Sequence, residues 1–230
     1  MAGYMVYWAG DYIKSLQKAG DSGPLKVVYG SQHTTMPDIS SVRVGDVIYP
    51  VTLKDGTLAV MARLAVEHIE CAFDYLMREV GTYQSSLIPA GVLYHKDGTY
   101  GDFVMWEHGS GYFVDETHAS HMGKDGKVIE ELPANIERIY YENQLEEVPH
   151  LPHQVPKSCC AKTAASGTGT EICPRIIPIE TVSTMLFGKT KSTQKPLKLD
   201  KNGRLTAISL AGFVRKMSDD TFEIFESLFR

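Results

Sequence analysis

Residues 41–66 read SVRVGDVIYPVTLKDGTLAVMARLAV and contain the clearest pattern in the chain. Two apolar runs, at residues 47–49 and 58–64, are separated by the tripeptide Lys-Asp-Gly at residues 54–56. An Asp-Gly pair between two such runs is a strong signal for a β-hairpin. Because Pro50 has no backbone N–H to donate, it predicts that the first strand lies at a sheet edge or carries a bulge.

Helical and strand-like patterns flank this hairpin on both sides. Apolar residues recur at three- and four-residue steps from residue 67 to residue 80, which predicts a helix that ends at Gly81. Before the hairpin, the patterns predict a strand, a helix and a strand at residues 4–8, 11–19 and 25–29. After the predicted helix, turn residues separate short strand-like runs at residues 92–95, 100–106, 112–114 and 127–130. This spacing predicts a meandering antiparallel sheet or a small barrel.

The composition changes at Val148. Residues 148–156 hold three prolines in nine positions, so they cannot form a helix or a central strand. The patterns that follow predict a short helix near residues 179–187, a strand at residues 205–214 and a C-terminal helix from Asp219 that is capped by Ser218. We therefore predict a domain at residues 1–147, and a Pro-rich connection, basic loop, strand and C-terminal helix at residues 148–230 that pack on it.

Residues 44–49 (VGDVIY) open the first strand of the hairpin, and its return strand carries the small or apolar residues Val60, Ala62, Leu64 and Val66. This pattern resembles the core hairpin of PUA-like domains, the superfamily that includes the ASCH and EVE types, and residues 6–8 are similar to the opening aromatic strand of the EVE type. The resemblance covers residues 4–70. It implies an α+β fold with a small antiparallel or mixed β-barrel and flanking helices. The Gly-x-Lys-x-x-Glu motif of the ASCH type does not occur near the N-terminus, so the resemblance implies no enzymatic role.

The overall composition is that of an ordinary globular protein. Hydrophobic residues make up 43% of the chain and charged residues 22%, which excludes an intrinsically disordered protein. No apolar run approaches the roughly 20 residues that span a bilayer, and we expect neither a membrane partner nor a secretory signal. Of the four cysteines, Cys159 and Cys160 are adjacent, which is unsuited to a disulfide framework. We expect a cytoplasmic protein.

Charge is distributed unevenly along the sequence. Residues 155–217 contain eleven Lys or Arg against three Asp or Glu, whereas the rest of the chain contains twelve against twenty-five. Residues 188–204 (GKTKSTQKPLKLDKNGR), which we call the basic segment, hold six cations opposed only by Asp200, namely Lys189, Lys191, Lys195, Lys198, Lys201 and Arg204. Such a concentration indicates contact with the phosphates of RNA or DNA, and lysine suits that contact better than base reading. The alternative is a solvated loop without a partner.

A second candidate site is an aromatic pocket for a modified base. An extruded base is held between aromatic rings, and its edge is read by a few hydrogen-bonding groups. The candidate ligand-binding residues are the aromatic Trp8, Tyr29, Tyr49 and Trp106 and the polar Gln32, His33 and Thr34 of the loop after residue 30. The alternative is that the aromatic rings belong to the core and the loop is a plain surface turn.

The remaining candidates concern metal binding and catalysis. Ligand-type residues cluster at His150, His153, Cys159, Cys160 and Cys173, but their spacing is not that of a standard zinc knuckle. His118 and His121 form a second pair, beside two carboxylates. A thiolate of the first cluster could act as a nucleophile beside a histidine, and the Gly/Thr stretch at residues 166–170 could offer backbone amides to a phosphate. We assign no catalytic residue, no metal site and no cofactor.

Together these features predict a nucleic-acid-binding protein that does not catalyse a reaction, with recognition of a modified base as a further hypothesis. Two alternatives remain open: a metal-dependent hydrolase or nuclease that uses the His/Cys cluster, and a protein-interaction module of the immunity or adaptor kind whose basic segment meets an acidic partner.

Overall fold

The computed structural model describes residues 1–30, 38–71, 75, 78–79, 90–95, 100–107, 110–114, 120–122, 136–141, 163–211 and 214–230. The chain divides into two compact units, of which the first contains Met1–Glu70 and Thr163–Arg230 and the second contains Cys71–Leu151. The predicted division after residue 147 does not coincide with this one, because strands from the C-terminal part of the chain complete the sheet of the first unit.

The described elements follow one another in this order: β1 Gly3–Tyr7, α1 Gly10–Lys18, β2 Val27–Gly30, β3 Val47–Lys54, β4 Thr57–Val60, β5 Leu64–Cys71, β6 Ala90–His95, β7 Tyr100–Glu107, β8 Ser110–Val114, β9 Ser120–Met122, β10 Ile136–Tyr141, β11 Thr163–Gly169, β12 Arg175–Ile177, α2 Ile179–Val182, a 3₁₀ turn Lys191–Thr193, α3 Ala207–Leu210, β13 Arg215–Lys216 and α4 Asp219–Ser227. Strands outnumber helices in the described residues, and the protein is α+β. None of the described helices has the length and apolar composition needed to cross a bilayer.

The first unit is built on a mixed sheet with the order β12-β4-β3-β5-β11-β2. Strand β1 lies outside this path and pairs in parallel with β3 and antiparallel with β13. The two ends of the path, β12 and β2, do not pair with each other in the described part of the chain, so the sheet is not closed into a barrel there.

The β3–β4 hairpin forms as the sequence predicts. Asp55 and Gly56 both have positive φ, at 53° and 80°, which is the backbone that a two-residue turn between right-twisted strands requires. Pro50 does not lie on an edge strand, since β3 has β1 on one side and both β4 and β5 on the other. The proline falls between residues 47–48, which pair with β5, and residues 51–54, which pair with β4. Pro50 thus lies where β3 passes from one antiparallel neighbour to the other, and the absence of its backbone N–H is tolerated at this point.

Alternate residues of the sheet enter two separate cores, one on each face. The helix-α1 core contains Tyr4, Val6, Trp8, Tyr12, Leu16 and Ile48 among its buried residues. The C-terminal core contains Met5, Tyr49, Val51, Val182, Leu197, Leu205, Leu210 and Phe225. The chain after residue 163 therefore covers one whole face of the sheet. It belongs to the fold of the first unit.

One predicted helix is wrong over its first five residues, and one predicted strand is wrong. Residues 67–71 of the predicted helix lie in β5, where Leu64 and Val66 are buried and Ile69 is exposed. Of residues 72–80, the structure describes Tyr75, Arg78 and Glu79, and these are helical. The strand predicted at residues 205–214 is replaced by the short helix α3, because the Thr206 side chain accepts a hydrogen bond from the Ser209 N–H and caps a helical turn.

The second unit contains an antiparallel sheet with the order β10-β6-β7-β8-β9. The predicted strands at residues 92–95, 100–106 and 112–114 fall within β6, β7 and β8. These three strands pair with their neighbours along the chain, as expected for a meander. The strand predicted at residues 127–130 lies outside the described residues.

Candidate functional site

The basic segment presents all six of its cations to solvent. Lys189, Lys191, Lys195, Lys198, Lys201 and Arg204 are each exposed. The segment is nevertheless anchored, because Leu197 within it and Leu205 directly after it are buried in the C-terminal core. Exposed cations on an anchored backbone are held ready for a partner, because little chain entropy remains to be lost on binding.

The first half of the basic segment is a closed loop. Phe187 and Lys195 exchange two backbone hydrogen bonds of 2.9 Å across its base. The Thr190 N–H donates to the Thr193 hydroxyl, which in turn donates to the Thr190 carbonyl oxygen, both at 3.0 Å. A β-carbon at Gly188 would lie 2.6 Å from the Thr193 carbonyl oxygen, so this position of the loop requires glycine. The loop fixes the backbone that carries Lys189 and Lys191.

The second half of the basic segment turns around Asp200. One oxygen of its carboxylate accepts the N–H groups of Asn202 and Arg204, at 2.8 and 2.9 Å. The Leu205 N–H donates to the Gly56 carbonyl oxygen at 3.0 Å, which joins this turn to the β3–β4 hairpin. The only acidic residue of the segment therefore shapes the turn that carries Lys201 and Arg204.

The basic segment carries a net positive charge, since its six cations are opposed only by Asp200. Among the described residues, none of the six cations takes part in an ion pair. Arg215 adds a seventh cation on β13: it donates to the Ser209 carbonyl oxygen at 2.8 Å, while its Nε is buried without a hydrogen-bond partner. Burial lowers the pKa of Arg215 from its usual value. The region therefore contains six exposed cations and one partly desolvated arginine. Such a surface favours the binding of an anion.

Two of the predicted aromatic residues, Trp8 and Tyr49, lie in separate cores of the first unit. Trp8 is 7% exposed and packs edge-to-face on Tyr12 in the helix-α1 core, at a centroid distance of 4.9 Å. Tyr49 is fully buried in the C-terminal core on the other face of the sheet. Tyr29 is 5% exposed at the end of β2. In this structure Trp8 and Tyr49 thus contribute to packing, and neither presents a free face to a base.

The remaining predicted ligand residues lie outside the described residues or in the second unit. Gln32, His33 and Thr34 lie outside the described residues, and Trp106 belongs to β7 of the second unit. A pocket for a modified base stays a prediction.

A network that the sequence did not reveal joins the C-terminal helix to the sheet. The Tyr49 hydroxyl and the Arg63 Nε both donate to the same carboxylate oxygen of Glu226, the second at 2.7 Å. Burial alone would raise the pKa of Glu226, but the hydrogen bonds from Tyr49 and Arg63 and the charge of Arg63 outweigh it and hold that pKa below its ordinary value. Burial and the bond to Glu226 raise the pKa of Tyr49. The network fixes α4 against β3.

The Glu226 network gives a test of stability against pH. We expect Glu226→Gln to lower the free energy of unfolding at pH 7 by about 1–2 kcal/mol, since two donors lose a charged acceptor that is partly exposed to solvent. Because the pKa of Glu226 is lower in the folded state than in the unfolded state, its contribution is present above the unfolded pKa of about 4.3 and is lost as the pH falls through the folded pKa. Urea denaturation of both proteins at pH 7 and at about pH 3 measures the difference.

The matched control for this prediction is Glu223→Gln on the same helix. Glu223 pairs with Arg230 at 2.8 Å, but both side chains are about two-thirds exposed, so we expect a change within about 0.5 kcal/mol. A Glu226→Gln deficit that is equally large at both pH values would contradict the assignment.

The candidate metal and phosphate sites receive no further support from the described residues. Cys173 is an exposed free thiol, and the other four members of the His/Cys cluster lie outside the described residues, as does His118. No group of three metal-ligand side chains occurs in the part of the chain that the structure describes. The Gly/Thr stretch lies largely in β11, where the Gly167 N–H donates to the Lys26 carbonyl oxygen at 3.0 Å, so this amide serves the sheet.

Comparison with known proteins identifies no relative. No family model matches the chain, and neither a curated protein nor a solved structure is significantly similar to it. The charge and geometry of the described surface therefore carry the functional proposal.

Proposed function

We propose that the protein binds nucleic acid through the basic segment and does not catalyse a reaction. The observation that carries this proposal is the set of six exposed cations, unpaired among the described residues, on a segment anchored by Leu197 and Leu205. A phosphate backbone offers repeated negative charges, and its condensed counterions are released when lysines replace them. Lysine side chains supply such contacts without fixing a base sequence.

The ordered backbone of the basic segment favours this proposal over a solvated loop. Hydrogen bonds close the segment at Phe187 and Lys195 and again at Asp200, so its cations are attached to a fixed frame. A loop that served only for solubility would need neither turn. The same frame supports contact with either RNA or DNA.

Two finer assignments belong to the same proposal. A PUA-like origin of the first unit is supported by the VGDVIY sequence that leads into β3 and by a mixed sheet in which β1 runs parallel to β3. Reading of a modified base would require a pocket near the end of β2, from which residues 32–34 continue. Both extend the proposal without being needed for phosphate contact.

The salt dependence of binding tests the proposal. We expect wild-type protein to bind a labelled duplex or single strand with an affinity that falls steeply between about 50 and 200 mM NaCl. The variant Lys189→Glu with Lys191→Glu is expected to bind at least about tenfold more weakly and to lower the logarithmic salt slope by about 0.9 for each phosphate that it no longer neutralises. Fluorescence anisotropy measures both quantities.

The control variant changes the same charge on the opposite face of the first unit. Lys14 and Lys18 are exposed on α1, which covers the other side of the sheet, so Lys14→Glu with Lys18→Glu is expected to bind almost as wild type does. Equal weakening by the two variants would show that only net charge matters, and an unchanged affinity in the Lys189 and Lys191 variant would refute the proposed surface.

A further inference from the structure

Helix α3 holds an isoleucine out into solvent beside the basic segment. Ile208 is 88% exposed, whereas Leu210, two residues later, is 1% exposed and packs in the C-terminal core. The Thr206 hydroxyl accepts from the Ser209 N–H at 3.3 Å and caps this single turn. The buried leucine and the cap fix the direction of the turn, so the outward position of Ile208 is set by the fold.

Ser209 joins this turn to the backbone of the basic segment and to the Arg215 guanidinium. Its hydroxyl donates to the Lys198 carbonyl oxygen at 2.6 Å, and its own carbonyl oxygen accepts from the Arg215 guanidinium at 2.8 Å. The apolar tip is thus tied on one side to the basic segment and on the other to the partly buried arginine of β13. A single exposed apolar residue is ordinary on a protein surface. One that is fixed on a turn bonded to the backbone of the basic segment and to the Arg215 guanidinium matches a surface of negative charge with an apolar interior.

Duplex DNA has that combination, because its charged backbones enclose stacked base pairs. Aliphatic side chains such as isoleucine enter the minor groove and partly unstack a base step in proteins that bend DNA. Single strands are instead bound on aromatic platforms, and the basic segment contains no aromatic residue. A bilayer surface requires a larger apolar face than one isoleucine flanked by Ala207 and Ser209.

We infer that Ile208 is a wedge that enters the minor groove of duplex DNA at one base step while the basic segment holds the flanking phosphates. The inference rests on the proposed function and adds the kind of nucleic acid and the mode of contact. Flexible pyrimidine–purine steps are easier to unstack than A-tracts, so the wedge should favour a duplex with a central TA step.

The test compares Ile208→Ala with wild type on two duplexes of equal length, one with a central TA step and one with an A-tract. We expect wild type to prefer the TA duplex and the variant to bind it about tenfold more weakly, without preference. The salt slope should stay unchanged, because the variant keeps every cation that neutralises a phosphate, whereas Lys198→Ala should lower it by about 0.9. Ile176→Ala, which alters an exposed isoleucine of β12 outside the basic segment, is the matched control and should behave as wild type.

The possible outcomes distinguish a failure of the wedge from a failure of the proposed function. If wild type binds with a steep salt slope while Ile208→Ala shows the same affinity and the same duplex preference, the wedge is wrong and the proposed function stands. If Ile208→Ala loses binding to vesicles of phosphatidylserine and phosphatidylcholine but keeps its affinity for the TA duplex, the tip serves a lipid surface and the wedge is wrong. If wild type binds no nucleic acid at any salt concentration, the proposed function fails, and the wedge fails with it.

Discussion

Replacing Gly167 with alanine is expected to destabilise the first unit by about 3 kcal/mol, at the upper end of the range for overpacked cores. A β-carbon at this position of β11 would overlap the carbonyl oxygen of Ala65 and lie 2.9 Å from the backbone nitrogen of Glu67. Both atoms belong to the backbone of the neighbouring strand β5, so no side-chain rotation can relieve the clash. Urea denaturation at neutral pH measures the loss.

The control for this prediction is Gly10→Ala at the start of α1, where a β-carbon would meet no atom within 4 Å. We expect it to leave stability unchanged or to raise it slightly, because alanine favours the helix and restricts the unfolded chain. Gly169→Ala should resemble Gly167→Ala, since its β-carbon would overlap the Leu25 carbonyl oxygen. A Gly167→Ala protein as stable as wild type would mean that β11 and β5 do not approach as described.

Local patterns predicted the elements that local chemistry determines. The β3–β4 turn follows from the positive φ that Asp55 and Gly56 tolerate, and the C-terminal helix follows from the Ser218 side chain, which accepts from the Thr221 N–H. The basic segment was also predicted, because the positions of lysine and arginine are given by the sequence itself. In each case the deciding residues are within a few positions of one another.

Contacts between distant residues explain what the sequence did not predict. Residues 67–71 had helical spacing, but they continue β5, which pairs with β3 at Leu64 and Ala65 and has β11 as its other neighbour, and sheet pairing overrides a local preference. The contacts divide the chain differently from the predicted boundary after residue 147, because β11 and β12 lie in the sheet of the first unit although they follow Cys71–Leu151 in the sequence. The Glu226 network joins residues 163 and 177 positions apart, so no local signal could have revealed it.

The second large effect is expected at Phe225. We expect Phe225→Ala to lower the free energy of unfolding by about 3–5 kcal/mol, the range for a buried phenylalanine that leaves a cavity. Phe225 is fully buried in the C-terminal core, and its ring packs edge-to-face on Tyr49 at a centroid distance of 5.1 Å. Thermal and urea denaturation measure the loss, and Ile224→Ala, at a partly buried position of the same helix, should cost clearly less.

Phe225→Ala also tests whether the basic segment depends on the fold. Phe225 shares the C-terminal core with Leu197 of the segment and with Leu205 after it, so a cavity there loosens the anchors of the cations. We therefore expect trypsin to cleave within the basic segment faster in Phe225→Ala than in Ile224→Ala under native conditions, since cleavage requires local opening of the chain. Equal cleavage rates in both variants would mean that the segment is held independently of this core. That result would contradict the anchoring role of Leu197 and Leu205 and leave the hydrogen bonds at Phe187, Lys195 and Asp200 as the frame of the segment.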